Sequence, residues 1–190
     1  MAKELEILLG SKSRPKVLNL FFQNKEAEFT SKEVAKKCQI SSKAAKMELE
    51  KMQKIHLLLR KKQKKFVYYN LNLKFPFLPE LRSMVISASP ILFGEAKIVF
   101  KKVPRVKLLF LSGEFLKERK SPVDVLFVGD NISQNNISKA IKKIESDIGK
   151  ELRWTAMNLK EFNYRFNIND RFLGDILSRK NKIIINKIRW

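Results

Sequence analysis

Cysteine and histidine are almost absent from this chain, which has one of each among its 190 residues. A single cysteine, Cys38, cannot form an intramolecular disulfide, so no disulfide framework supports the fold and a reducing compartment is expected. Cys38 falls within a helical pattern, which favours a small core residue over a nucleophile. The one histidine, His56, has no second histidine or cysteine with which to hold a metal. We predict no metal site, no cofactor and no catalytic role for either residue.

Long apolar runs are also missing. No stretch approaches the roughly 20 apolar residues that a membrane-spanning helix needs. The first ten residues, MAKELEILLG, are too short and too acidic for a secretory signal peptide. We therefore expect no membrane partner and a cytoplasmic location.

Acidic residues are scarce, because 19 Asp and Glu stand against 40 Lys and Arg, a net charge of +21. Residues 1–88 carry 19 basic and 8 acidic residues, and residues 89–190 carry 21 and 11, so the excess is not a basic tail. Such a charge indicates a polyanionic partner, although an AT-rich genome, which favours lysine codons, contributes to it. The hydrophobic share of 44% is large enough for a packed core.

The first half of the chain predicts helices followed by a hairpin. Residues 13–24 repeat apolar side chains at helical spacing, and a second helix over 32–38 follows a cap at Thr30 or Ser31. A third helix runs from a cap at Ser41 or Ser42 to about Ile55. Residues 57–60 are extended, 61–65 form a charged tip, and 66–71 are aromatic and branched, as is typical of a strand.

This order resembles the winged helix-turn-helix of bacterial and archaeal transcription regulators over about residues 10–75, most closely in TSKEVAKKCQISSKAAKMELEKMQKI and YYNLN. The resemblance implies that the third helix enters the major groove of double-stranded DNA and that the hairpin, or wing, lies along phosphates. The implied DNA-binding residues are Ser42, Lys43, Lys46 and Lys51 on the helix, and Lys61, Lys62, Lys64 and Lys65 on the wing. An ordinary solvated face explains the helix lysines alone, but four lysines in a five-residue tip repel one another unless a polyanion is present.

The second half begins after FPFLP, residues 75–79, which breaks regular structure and marks an interdomain connection with a short helix over 80–87. Strands and helices then alternate, which predicts an α/β domain. The predicted strands are residues 106–111, 123–128, 152–157 and, at the sheet edge, 182–186; the predicted helices are 90–102, 137–148, one that begins at Asn158, and 170–178.

Residues 106–128, VKLLFLSGEFLKERKSPVDVLFV, resemble the signature of the nucleotidyltransferase superfamily, in which a strand leads into a Gly-Ser turn and a second strand carries an Asp-x-Asp pair. Here the turn reads Ser112-Gly113-Glu114, and the pair reads Pro122-Val123-Asp124. Family members hold two divalent cations with such carboxylates, and a single aspartate is a poor ligand set. The resemblance therefore implies a nucleotidyltransferase fold that has lost its catalytic function.

The third strand of this domain, LRWTAM, contains no acid. We expect Arg153 to neutralise Asp124 in a structural ion pair. A glycine turn at a helix N-terminus still offers backbone N–H groups to an anion, so a nucleotide-sensing pocket stays open as an alternative to a plain scaffold.

The sequence thus predicts an α+β protein with a winged helix-turn-helix domain (1–75), a linker (76–89) and an inactive α/β nucleotidyltransferase-like domain with a mixed sheet (90–190). The whole chain resembles the fusion of these two domains that is usually labelled a transcription regulator, and we expect a DNA-binding regulator. Two alternatives stay open: an active nucleotidyltransferase targeted by the winged helix, and an RNA- or ribosome-associated basic protein. A homodimer is also left open.

Overall fold

The computed structural model describes residues 3–88, 93–118 and 120–188. They form a mixed α and β fold with two separate sheets, one of which combines parallel and antiparallel strands. The predicted α+β class is confirmed at this level. The chain divides into a first unit, Met1–Pro90 with Lys142–Lys150, and a second unit, Ile91–Ile141 with Glu151–Trp190.

The helices of the first unit surround one apolar core. Helix α2 begins with a proline in its first turn, where the missing N–H removes no helical hydrogen bond. Its Val17, Phe21 and Phe22 are fully buried. In the described part of this unit the helices are α1 (Lys3–Leu8), α2 (Arg14–Gln23), α3 (Ser31–Cys38), α4 (Ser42–Lys54) and α5 (Leu78–Ala88).

Local hydrogen bonds define where α3 and α4 begin and end. The Thr30 hydroxyl accepts from the Glu33 N–H and the Glu33 carboxylate accepts from the Thr30 N–H, which is a capping box. Gln39 ends α3 in the left-handed conformation, with φ 52°. The Ser41 hydroxyl then accepts from the Ala44 N–H and starts α4. The predicted order of helix, tight turn and helix is therefore observed.

The sheet of the first unit has three antiparallel strands in the order β1-β3-β2, which are Phe29–Thr30, Phe66–Leu71 and Leu58–Gln63. The predicted charged tip over 61–65 was wrong for Lys61, Lys62 and Gln63, which pair with Tyr68, Val67 and Phe66 inside the ladder. Backbone pairing to the aromatic strand β3 extends β2 through residues whose own charged side chains give no strand pattern. Only residues 64 and 65 form the loop.

Two further segments complete the first unit. Helix α5 lies within residues 76–89, which the sequence predicted as a linker, and it buries Val85 in the core. In Lys142–Lys150, the Gly149 carbonyl accepts from Asn24 Nδ2 at 2.8 Å and the Asp147 carboxylate lies 3.0 Å from the Lys16 ammonium. The first unit therefore includes chain that the sequence-based boundaries placed elsewhere.

The second unit alternates strands and helices as predicted. The predicted start of its first helix, residues 90–92, lies outside the described residues. Helix α7 begins in this unit, and its last residues belong to the first. The elements are α6 (Phe93–Lys101), β4 (Leu108–Leu111), a 3-10 helix (Gly113–Leu116), β5 (Val125–Val128), α7 (Gln134–Ile148), β6 (Trp154–Met157), α8 (Leu159–Asn167), α9 (Arg171–Ser178) and β7 (Lys182–Asn186).

The four-stranded sheet has the order β6-β5-β4-β7, with β5 and β6 parallel and the other neighbours antiparallel. Every residue of β4 and β5 is buried, as expected for strands covered on both faces. On one face the Phe127 ring packs edge-on against Phe100 at 5.5 Å, and on the other Phe110 stacks on Phe162. Strand β7 is at the edge, as predicted.

Across the described residues, no helix combines the length and apolar character that crossing a bilayer requires.

Candidate functional site

The outward face of α4 is basic. Ser42, Lys43, Lys46 and Lys51, the residues predicted to contact DNA, are all exposed. On the opposite face, Ala45, Leu49 and Met52 enter the core. Helical geometry therefore separates the candidate DNA-binding side chains from the core contacts of the same helix.

A buried carboxylate positions α4 against the start of the chain. Glu48 is 3% exposed and accepts from the Ser11 hydroxyl at 2.7 Å and from Arg14 Nε at 2.8 Å. The same arginine donates to the Leu9 carbonyl at 2.7 Å. Because each partner satisfies a polar group that would be costly to bury alone, this cluster holds α4 in one orientation.

Sequence reasoning missed three residues on the outward face of α4. Met47 and Lys54 follow Lys43 by four and eleven residues, so they lie on the same exposed stripe, and that spacing was available in the sequence. Glu50 also lies there, 3.9 Å from the Lys46 ammonium. This single acid weakens the positive field of the helix face.

The hairpin formed by β2 and β3 carries the densest set of exposed cations. Lys61 and Lys62 are on β2, and Lys64 and Lys65 form the loop, with Lys64 at φ 52°. The Lys61 ammonium lies 3.5 Å from Glu28 Oε1, and both side chains are partly solvated, so this pair is weak. For Lys62, Lys64 and Lys65, no ion pair exists within the described parts of the chain.

Asp124 is at the centre of a closed hydrogen-bond cluster. Its side chain is 4% exposed. One carboxylate oxygen accepts from the Glu114 N–H at 2.8 Å and from Arg153 Nη2 at 2.9 Å. The other accepts from the Arg153 N–H at 2.7 Å and Nε at 3.2 Å. The expected structural ion pair between Asp124 and Arg153 is therefore confirmed.

Backbone geometry explains the glycine of the turn. Gly113 has φ 49°, a left-handed conformation, and a Cβ there would overlap Asp124 Oδ1. The Glu114 N–H, which the sequence offered as an anion-binding donor, is used by the protein's own carboxylate. The buried Ser112 hydroxyl donates to the Lys180 carbonyl at 2.7 Å.

The donor set at Asp124 matches a structural role. Arg153 also donates Nη1 to the Ser121 carbonyl at 2.8 Å. Its hydrogen bonds to Asp124 raise the pKa of the guanidinium, which stays charged. Both carboxylate oxygens already accept two hydrogen bonds each. A cation would have to displace Arg153 and the Glu114 N–H before it could bind there.

The single cysteine, Cys38, and the single histidine, His56, differ in burial. Cys38 is 1% exposed, and burial raises the pKa of its thiol to about 12, so it stays protonated and unreactive. His56 is exposed, with φ 60°, and its carbonyl accepts from Asn72 Nδ2. Among the residues that the structure describes, no group of three or more His, Cys, Asp or Glu side chains is placed to hold a metal.

No family model, no curated protein and no solved structure matches this chain.

Proposed function

We propose that this chain is a DNA-binding transcription regulator of the cytoplasm, in which the first unit acts as a winged helix-turn-helix. The proposal is supported by the element order of that unit, in which α3, a tight turn and α4 precede the β2–β3 hairpin. The observation that carries it is the hairpin: four lysines within five residues, all exposed. A duplex phosphate backbone supplies the counter-charge that the described protein does not provide to Lys62, Lys64 and Lys65.

In this proposal α4 enters the major groove and the hairpin contacts phosphates. Ser42, Lys43 and Lys46 lie at the start of α4, where a recognition helix presents its first side chains to base edges. None of these residues is an arginine or an asparagine, and a lysine contacts guanine without the rigid planar fork of an arginine. Binding is therefore dominated by phosphate contacts and tolerant of sequence.

Duplex binding measured as a function of salt tests the proposal. A variant with Lys61, Lys62, Lys64 and Lys65 changed to alanine should bind more weakly, and its log K against log[salt] slope should be shallower by about 3. The matched control removes four exposed second-unit lysines that have no described ion pair: Lys97, Lys101, Lys139 and Lys160. Equal losses in both variants would show a nonspecific charge effect and would reject the hairpin as the binding element.

We further propose that the second unit is a nucleotidyltransferase-like scaffold without transferase activity. The support is the closed cluster at Asp124, in which the one remaining acid of the motif is held by Arg153. Incubation with labelled nucleoside triphosphates, Mg²⁺ or Mn²⁺ and candidate acceptors tests this. Label transfer that Asp124→Asn abolishes would establish the active-enzyme alternative instead.

The RNA-associated alternative is separated by competition. A DNA regulator prefers duplex DNA over structured RNA of equal charge at the same salt concentration, because A-form RNA closes its major groove to a helix. A preference for the RNA competitor would replace the proposed partner.

A further inference from the structure

The two faces of the β2–β3 hairpin differ in chemistry. Alternate residues of paired strands point to opposite faces of a sheet. Leu58, Tyr69 and Leu71 are buried, and they form the face that packs on the first unit's core. The other face, which we call the outer face, carries Leu59, Lys61 and Gln63 on β2 and Phe66, Tyr68 and Asn70 on β3.

The outer face exposes aromatic and apolar surface to water. Phe66 is 58% exposed and Leu59 is 45% exposed. The Phe66 and Tyr68 rings lie 6.5 Å apart at 62°, and Tyr68 is only half-buried. Contiguous exposed rings on a small sheet are unfavourable in water and typically mark a binding surface.

Positive charge surrounds these rings. Lys61 is directly opposite Tyr68 in the ladder, and the loop residues Lys64 and Lys65 immediately precede Phe66. A ligand for this face must therefore combine negative charge with flat apolar groups. Single-stranded nucleic acid has both, because its bases are unpaired and its backbone is charged at every nucleotide.

We propose that the outer face of the hairpin binds single-stranded nucleic acid by stacking two bases on Phe66 and Tyr68, with the phosphates on Lys61, Lys64 and Lys65. The ring separation of 6.5 Å is about twice the ~3.4 Å rise per nucleotide of a duplex strand, so adjacent bases reach both rings only on an extended strand. A strand opened near a duplex site bound by α4 has this form. The proposal rests on the hairpin of the proposed function, shares its Lys61, Lys64 and Lys65, and adds the rings of Phe66 and Tyr68.

Glu28 moderates this surface. It lies beside the outer face, where its carboxylate contacts the Lys61 ammonium at 3.5 Å and accepts from Gln63 Nε2 at 3.2 Å. In the free protein it neutralises one of the three phosphate-binding lysines. An incoming phosphate must compete with this carboxylate for Lys61. This competition favours a single strand whose bases also stack on the rings over a polyanion that offers phosphates alone.

Titration of the full chain with fluorescent twelve-nucleotide oligo-dT and oligo-U tests the proposal. The decisive variant, Phe66→Leu with Tyr68→Leu, keeps apolar bulk on an exposed sheet face and removes both rings. We expect its affinity for the oligonucleotides to fall at least about tenfold, since each base stacked on a ring contributes about 1–3 kcal/mol. The salt slope should not change, because no cation has been removed. Phe66→Tyr with Tyr68→Phe keeps both rings and should retain wild-type affinity.

A second readout reports stacking directly. In Phe66→Trp, addition of either oligonucleotide should quench the fluorescence in excess of any change in the wild type, which contains Trp154 and Trp190. Comparable binding of oligo-dT and oligo-U identifies the base as the recognised group, whereas a strong preference for one assigns the ligand as DNA or RNA. If the introduced tryptophan stays unquenched at saturation, the proposal is overturned.

Duplex binding measured in parallel separates this inference from the proposed function. If the double leucine variant binds duplex and single strand as tightly as wild type, the stacking surface is rejected and the regulator proposal stands. If it loses duplex affinity to the same degree, the rings serve duplex binding instead. If the variant converts a dimer to a monomer by light scattering, the occupant of the outer face is a second copy of the chain, and the proposal is wrong.

Discussion

The pair of Asp124 and Arg153 and the pair of Glu28 and Lys61 join the same kinds of charge in very different surroundings. Asp124 is 4% exposed, and its carboxylate accepts four hydrogen bonds. Glu28 is 34% exposed, Lys61 is 59% exposed, and their separation is 3.5 Å. Arg153 is 53% exposed, but its guanidinium is held by both Asp124 oxygens and the Ser121 carbonyl, whereas Lys61 has one weak carboxylate partner that a polyanion can replace. Burial and the number of existing partners therefore distinguish the proposed binding surface from the Asp124 cluster, which net charge alone does not.

The same contrast separates the two motifs that the sequence made prominent. The turn at Ser112 and Gly113 resembles a catalytic signature, yet each polar group described there has an internal partner. The hairpin lysines resemble a plain charge run, yet they are exposed, and among the described residues only Lys61 has a carboxylate partner. Changes at the first site should act on folding, and changes at the second should act on binding.

Gly113→Ala should break the closed cluster most severely. The new Cβ would overlap the Asp124 carboxylate, and the left-handed φ of 49° is unfavourable for alanine. Displacing a buried carboxylate from its arginine costs about 3–5 kcal/mol, so we expect a loss of that size in the free energy of unfolding. Urea denaturation measures it. Gly174→Ala, where a Cβ meets nothing within 4 Å, is the control and should be stable; a stable Gly113→Ala protein would refute the strain argument.

Asp124→Ala should have the next largest effect and should separate folding from binding. It leaves the Glu114 and Arg153 N–H groups without their acceptor, which costs about 1–3 kcal/mol of stability. Duplex affinity in urea-free buffer should stay within about twofold of wild type, which corresponds to about 0.4 kcal/mol of binding free energy. The reason is that Asp124 lies in the second unit, whereas the proposed DNA contacts lie in the first. Asp130→Ala is the matched control. Asp124 precedes strand β5 and Asp130 follows it, but the Asp130 side chain is 47% exposed. Loss of DNA affinity in the Asp124 variant alone would contradict the separation.

Local pattern predicted most elements of this fold but not what each one packs against. The sequence predicted the helix over 137–148, whereas Lys142–Lys150 belongs to the first unit, in which Asn19 and Asn24 donate to its carbonyls. Those contacts join residues more than 120 positions apart. No local propensity encodes them, so nothing in the residue pattern indicated that Lys142–Lys150 lies in the first unit.

The sequence predicted some parts of the candidate sites but not those that depend on tertiary structure. The ion pair of Arg153 with Asp124 followed from one acid and one cation on neighbouring strands. The role of Gly113 required the position of the Asp124 side chain, which depends on tertiary structure. The hairpin lysines were recognised as a charge cluster, but the alternation of faces depended on how far β2 pairs with β3. That register also determines the outer face with its two rings.

Glu28→Gln tests whether Lys61, the cation of the exposed pair, contacts bound nucleic acid. The substitution removes the carboxylate that contacts Lys61 and retains a side chain of similar size. We expect polyanion affinity to rise a few-fold and the salt slope to steepen by about 0.9, because one more lysine is available to a phosphate. Stability should change by less than about 1 kcal/mol, as for other exposed pairs. Unchanged affinity and slope would show that Lys61 does not contact the backbone of the bound nucleic acid.

The smallest expected effect belongs to Glu33, an exposed acid that is hydrogen-bonded as Asp124 is. Hydrogen bonds from the Thr30 N–H and hydroxyl lower the pKa of Glu33. A depressed pKa adds stability that is present above the unfolded value, about 4.3, and is lost as pH falls through the folded value. Glu33→Gln should therefore destabilise by under about 1 kcal/mol at pH 7, and less at pH 3. Glu26→Gln, on an exposed residue with no described partner, is the control for urea midpoints at both pH values. If Glu33→Gln lowers the free energy of unfolding equally at pH 7 and pH 3, the capping box does not depend on the carboxylate charge.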